Sequence, residues 1–158
     1  MTKEKKKEFT LRISQAGEGG LTVILYEITL EYLSDARKSF QRGDMESFAD
    51  DIHHAQDCIR LQQSSLQMGY EPAGTLLSLY VYLHAELSKA LVEMDCSHLD
   101  ICEKIETDLW RAYVVAVNKQ DETPLMSNSQ KIYAGLTYDR NSMVENSFDF
   151  VQSRGYLA

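Results

Sequence analysis

The sequence predicts an all-α fold: an antiparallel up-down-up-down four-helix bundle with an N-terminal arm over residues 1–20 and a C-terminal extension over 120–158. Three observations carry this. Four segments of about twenty residues repeat apolar side chains at intervals of three and four, the period of one helical face. Each would be about 30 Å long. Short turns rich in Gly, Asp, Pro or Ser separate the segments, so successive helices run in opposite directions. No strand pattern competes across residues 21–119.

In chain order, residues 1–20 end in Ala16-Gly17-Glu18-Gly19-Gly20, and glycine at that density marks a loop. Phe9, Leu11 and Ile13 before it alternate, which predicts an extended arm with one packed side. The first helix runs from Leu21 to Phe40, with Leu21, Leu25, Ile28, Tyr32, Ala36 and Phe40 inward. Gly43 closes it and Asp44 caps the second, from Met45 to about Met68, whose inward set is Met45, Phe48, Ile52, Ala55, Ile59 and Leu66. Cys58, Leu61 and Met68 form a partial second stripe.

Pro72 suits the first turn of the third helix, which runs to Met94. Its core face carries Leu76, Tyr80, Leu83, Leu87, Leu91 and Met94. Ser78, Val81, Ala85, Ser88 and Val92 lie roughly opposite, Tyr82 lies between the two sectors, and the charges Glu86, Lys89 and Glu93 crowd into one sector. Ser97 is the expected cap of the fourth helix, with Leu99, Cys102, Ile105, Leu109, Ala112, Tyr113 and Ala116 inward and Trp110, Val114 and Val117 at its edge. After Lys119 the composition turns to that of a linker. Asn141 then caps a short segment ending at Gly155, with Met143, Val144, Phe148 and Val151 as its apolar residues. Such a segment is too short to be stable alone and must dock.

Composition excludes several functions. Of the 158 residues, 44% are hydrophobic and 25% charged, ordinary for one soluble domain. No run is long enough for a membrane span, and the start MTKEKKKEF lacks the apolar core of a signal peptide, so a cytoplasmic protein without membrane insertion is expected. Residues 1–12 carry five bases and two acids, but residues 13–119 carry eight bases and seventeen acids. An acidic body repels phosphate backbones, which argues against nucleic acid. The basic run at Lys5-Lys6-Lys7 reads as a solvated, frayed terminus. Cys58, Cys96 and Cys102, an odd number, read as reduced thiols.

Catalytic chemistry finds little footing. His53, His54, Cys58, His98 and Cys102 invite a metal-binding bundle enzyme, the second reading of this sequence. The Glu-x-x-His pairs that a di-iron bundle needs do not occur, however. Neither a nucleophile elbow nor a phosphate-cradling loop is present, and Asp50-Asp51 reads as a solvated face, so neither an enzyme nor a cofactor is expected. What remains is surface. Cys58, Leu61 and Met68 on the second helix, Ser78, Val81, Tyr82, Ala85 and Val92 on the third, and Trp110 and Val114 on the fourth are the candidates for a groove that takes an amphipathic peptide. The terminal arm and tail are alternative covers for the same stripes.

Over about residues 15–116 the chain resembles the flagellar secretion chaperone family FliS. The resemblance rests on Leu21-Thr-Val-Ile-Leu-Tyr26, Gly43-Asp-Met45, Ala55-Gln56 with Ile59, Leu79-Tyr-Val-Tyr82 with Leu87, Ala90 and Asp95, and Leu109. Gly17-Glu18 stands where the family has Ser-Pro, and Tyr113 where it has a late Trp. The resemblance implies a cytoplasmic chaperone, monomeric or weakly dimeric, that holds the C-terminal segment of flagellin, prevents early polymerisation and hands it to the flagellar export gate. A regulatory protein binding another helical partner through the same groove is the remaining alternative.

Overall fold

The computed structural model describes residues 1–69 and 71–118, and the predicted C-terminal element lies outside them. Five helices order the chain: α1 (Lys3–Gln15), α2 (Glu18–Gln41), α3 (Met45–Ser64), α4 (Glu71–Glu93) and α5 (Ser97–Asn118). No strand occurs among the described residues.

The N-terminal arm is helical rather than extended. Thr2 caps α1 by accepting the Lys5 N–H, and only Phe9 of its alternating apolar residues is buried, with Leu11 exposed. The glycine-rich loop is shorter than expected because Gly17 already caps α2 and Gly19 and Gly20 are helical. Gly19 also permits a close approach: a β-carbon there would stand 3.0 Å from Val117 Cγ2 of α5.

Between α2 and α3, Gly43 takes the left-handed conformation (φ 73°) that costs glycine least. Its N–H donates to the Phe40 carbonyl, and Asp44 accepts the Ser47 N–H at 3.1 Å, starting α3. The end of α4 is closed differently. Met94, expected on the core face, takes φ 51° at the end of α4 and is half exposed, because the backbone must reverse there without a glycine. Ser97 is not the cap of α5 but its first residue; Asp95 accepts both its N–H (2.9 Å) and its O–H (2.6 Å).

α2 packs on α3 and α5, α4 packs on the same two, and α1 packs on α2. Contacts run in opposite chain directions along these pairs. Ser39 meets Asp51 and Thr29 meets Gln62 between α2 and α3, while Leu83 meets Cys102 and Glu86 meets His98 between α4 and α5. The core between them holds Leu25, Tyr26, Leu33, Phe48, Ile52, Ile59, Tyr80, Leu83, Leu87 and Leu99, all nearly inaccessible to water. Ala112 and Ala116 are exposed instead of inward, since the inward ridge of α5 follows Leu99, Cys102, Glu106 and Tyr113.

Candidate functional site

α4 has two apolar faces, and the structure treats them differently. Leu76, Tyr80, Leu83, Leu87 and Ala90 are buried in the ring. On the outward side Val81 is 54% exposed, Tyr82 40% and Val92 84%, and Ser78 and Ala85 are exposed with them. Their spacing of three, four and seven lines them up along one stripe. Ser78 makes no polar demand on that stripe, because its hydroxyl donates to the Gly74 carbonyl within the helix.

Polar contacts fix both borders. On the α3 side, Gln56 Nε2 donates to Ser88 Oγ at 3.0 Å, and Ser88 in turn donates to the His84 carbonyl. On the α5 side, Lys89 lies 2.7 Å from Glu86, whose second oxygen lies 2.8 Å from His98 Nδ1; His98 Nε2 reaches Glu93 at 3.1 Å. Both ring nitrogens lie against carboxylate oxygens, and the Glu86 bond, then the Glu93 bond, raises the His98 pKa above its ordinary value. Lys89 and then His98 hold the Glu86 carboxyl below its ordinary range. Lys89 itself stands four residues after Ala85 and three before Val92, so its ion pair with Glu86 holds a charge beside the apolar residues.

The other predicted groove residues are not gathered there. Cys58 is fully buried, and desolvation pushes its thiol up; it belongs to the core and drops out of any surface. Leu61 is partly buried, seven residues after His54, which stacks on Tyr32 of α2 at 4.9 Å, so Leu61 sits on the α2 side of its helix. Trp110 follows Glu103 by seven residues, and Glu103 pairs with Arg37 of α2 at 3.0 Å, which places Trp110 and Val114 on the α2 side of α5. The Trp110 indole N–H is buried without a hydrogen-bond partner among the described residues. Met68 is 64% exposed beyond the end of α3. The continuous candidate surface is therefore the α4 stripe.

Two features escaped the sequence reading. One is α1, which lies along the outer face of α2. The Met1 amino group bridges Asp35 of α2 (3.0 Å) and Asp51 of α3 (3.7 Å), Lys5 pairs with Glu31, and Arg12 pairs with Glu27 at 2.5 Å. The other is a buried polar chain. Gln62 Nε2 donates to Thr29 Oγ1 (3.1 Å) and to Glu106 Oε2 (3.2 Å), and Glu106 is inaccessible to water. Desolvation pushes Glu106 up to about 8, so it is protonated at neutral pH. Its position four residues after Cys102 and seven before Tyr113 was the available signal, since that spacing is inward.

For metal chemistry, no three His, Cys, Asp or Glu side chains stand together to hold an ion among the described residues. His53 and His54 are exposed, whereas Cys102 is buried with its thiol pushed up to about 12 by desolvation. No helix among the described residues is long and apolar enough to cross a membrane.

The family model described as flagellar protein FliS matches residues 1–120. The chain belongs to that family. The flagellar secretion chaperone FliS of Bacillus subtilis (strain 168) is 25% identical over 108 residues, covering 68% of this chain and 81% of that protein. The FliS match spans all five helices and both faces of α4.

Proposed function

We propose that this protein is a chaperone of flagellar export that binds the C-terminal segment of flagellin on the outward stripe of α4, with α2 to α5 as an antiparallel up-down-up-down bundle. One observation carries it: Val81, Tyr82 and Val92 stand 54%, 40% and 84% exposed along one helix whose other face is core. An apolar stripe of that length, bordered by satisfied polar groups, fits the apolar face of an amphipathic helix. Membership in FliS supplies the kind of client.

The client segment binds as it becomes helical, and apolar burial offsets the entropy lost on ordering. While held it cannot polymerise, and the complex passes in the cytoplasm to the export gate. Binding needs no cofactor, catalysis or nucleic acid. The working unit is a monomer or weak dimer.

Titration with a flagellin C-terminal peptide tests this. Val81→Asp places a charge in the stripe and should weaken binding at least about tenfold, about 1.4 kcal/mol, with helical circular dichroism unchanged. Undiminished binding by a folded Val81→Asp chain would remove the α4 site.

A further inference from the structure

α2 and α4 pack on the same two neighbours, yet among the described residues only α2 has a further helix packed on it. That cover comes from the chain itself, the thirteen residues of α1. The α4 stripe from Ser78 to Val92 is about 21 Å long at 1.5 Å per residue. Beyond Asn118 the chain continues for forty residues, and within them the segment 141–155 carries Met143, Val144, Phe148 and Val151 at helical spacing. As a helix that segment would be about 22 Å long.

The place where α5 ends fits as well. Tyr26 of α2 lies with its ring 5.1 Å from that of Tyr113 of α5, and its hydroxyl is 2.5 Å from that of Tyr80 of α4. α4 and α5 run antiparallel, Leu83 meeting Cys102 and Glu86 meeting His98, so residues beyond Tyr113 lie towards the start of α4. Five residues after Tyr113 α5 ends at Asn118, which brings the chain out near the start of α4 at Glu71, seven residues before the stripe begins at Ser78. Twenty-two residues, 119 to 140, separate that exit from Asn141, and even a flexible chain of that length spans roughly 25 Å.

We propose that residues 141–155 dock as a helix on the outward stripe of α4, so that the chain's own tail covers the stripe and must leave before a client binds. The docking itself stands on lengths, spacing and the point of exit; its regulatory meaning rests on the reading of the stripe as the client site. The occupant satisfies the same apolar surface that α1 satisfies on α2.

The full-length chain tests this in a Cys96→Ser background, where the remaining thiols, Cys58 and Cys102, are buried. Ala85→Cys places a reporter thiol in the stripe, and its labelling by a maleimide is timed with and without Val144→Asp plus Phe148→Asp. We expect labelling about tenfold slower with the native tail, as for a site open one time in ten, at every protein concentration. Ser78→Cys serves as a second reporter, and circular dichroism verifies each fold. Equal rates with and without the tail substitutions would overturn the proposal, as would protection that vanishes on dilution, which assigns the stripe to a second copy. The flagellin peptide separates the two readings. Faster labelling without tighter peptide binding keeps the docked tail and removes the client site; equal rates with peptide binding lost in Val81→Asp do the reverse.

Discussion

α2 and α4 occupy equivalent positions between α3 and α5, and both carry apolar residues beyond what one packed face requires. On α2 the extra residue Ile24 is only 5% exposed, within one turn of Glu27, which Arg12 of α1 pairs with. On α4 the extra residues Val81 and Val92 stand open. A second apolar face thus tells that a helix wants a partner without telling whether that partner is in the same chain. Charge decides the matter on α2. Glu27, Glu31 and Asp35 meet Arg12, Lys5 and the Met1 amino group, so the basic start is attracted to that face. Surface pairs of this kind contribute at most about 1 kcal/mol each. They select the place, and Phe9 with its apolar burial supplies more of the hold.

The largest expected effect lies where the two helices are alike, on their inner faces. Tyr80→Ala removes a fully buried ring and its hydroxyl contact with Tyr26, and should cost about 3–5 kcal/mol in a urea unfolding experiment. A loss below about 1 kcal/mol would mean that α4 is not anchored through this face, and the comparison with α2 would fail. A smaller effect is expected where they differ. Phe9→Ala should cost about 2 kcal/mol, less than the roughly 3–5 kcal/mol of a fully enclosed Phe because α1 packs mainly on one helix. Amide exchange of residues 3–15 should quicken while α3 to α5 stay protected. Unchanged protection of α1 would show that the ion pairs alone hold it.

Most of this frame was legible in the sequence because it rests on long periodic segments. The end of α2 and the start of α3 follow from Gly43 and Asp44, whose chemistry is local and unambiguous, whereas the start of α2 and the end of α3 fall at Glu18 and Ser64, not at Leu21 and Met68. The inner face of α4 follows from spacing alone. Errors came where a local signal had two physical outcomes. Lys3 to Lys7 is repelled into solvent by itself, but α2 offers acids that a one-dimensional reading cannot place opposite it. Met94 continues the apolar spacing of α4, yet the helix ends at Glu93 and Met94 takes the left-handed conformation of the turn that follows. Within the candidate site, Val81, Ala85 and Val92 were legible as one stripe. Leu61 and Trp110 were not separable from them, since periodicity gives the angle of a residue on its own helix but not which neighbour fills that angle.

The smallest effect concerns the polar chain, and it sharpens the comparison because α4 takes no part in it. Thr29, Gln62 and Glu106 tie α2 to α3 and α5, whereas α4 reaches the same depth through the Tyr80 hydroxyl. In the folded chain Glu106 keeps its proton up to about 8; in the unfolded chain it releases it near 4.5. Between those values the folded state holds more protons, so this group's contribution to stability falls as pH rises from 4.5 to 8 and is level above that. The slope is on the order of 1 kcal/mol per pH unit. Glu106→Gln keeps the shape and stays neutral, and should therefore flatten that decline and leave the variant more stable than the parent at pH 8. Its benefit should fade towards pH 5, where the parent is protonated too. Because the buried Glu106 carboxyl sits between α2, α3 and α5, raising the pH should loosen the exchange of their amides before that of α4. A variant that declines with pH as steeply as the parent would place the titrating group elsewhere, with His98 at the α4–α5 corner the next to test, since its raised pKa also makes stability fall as the pH climbs past its ordinary value.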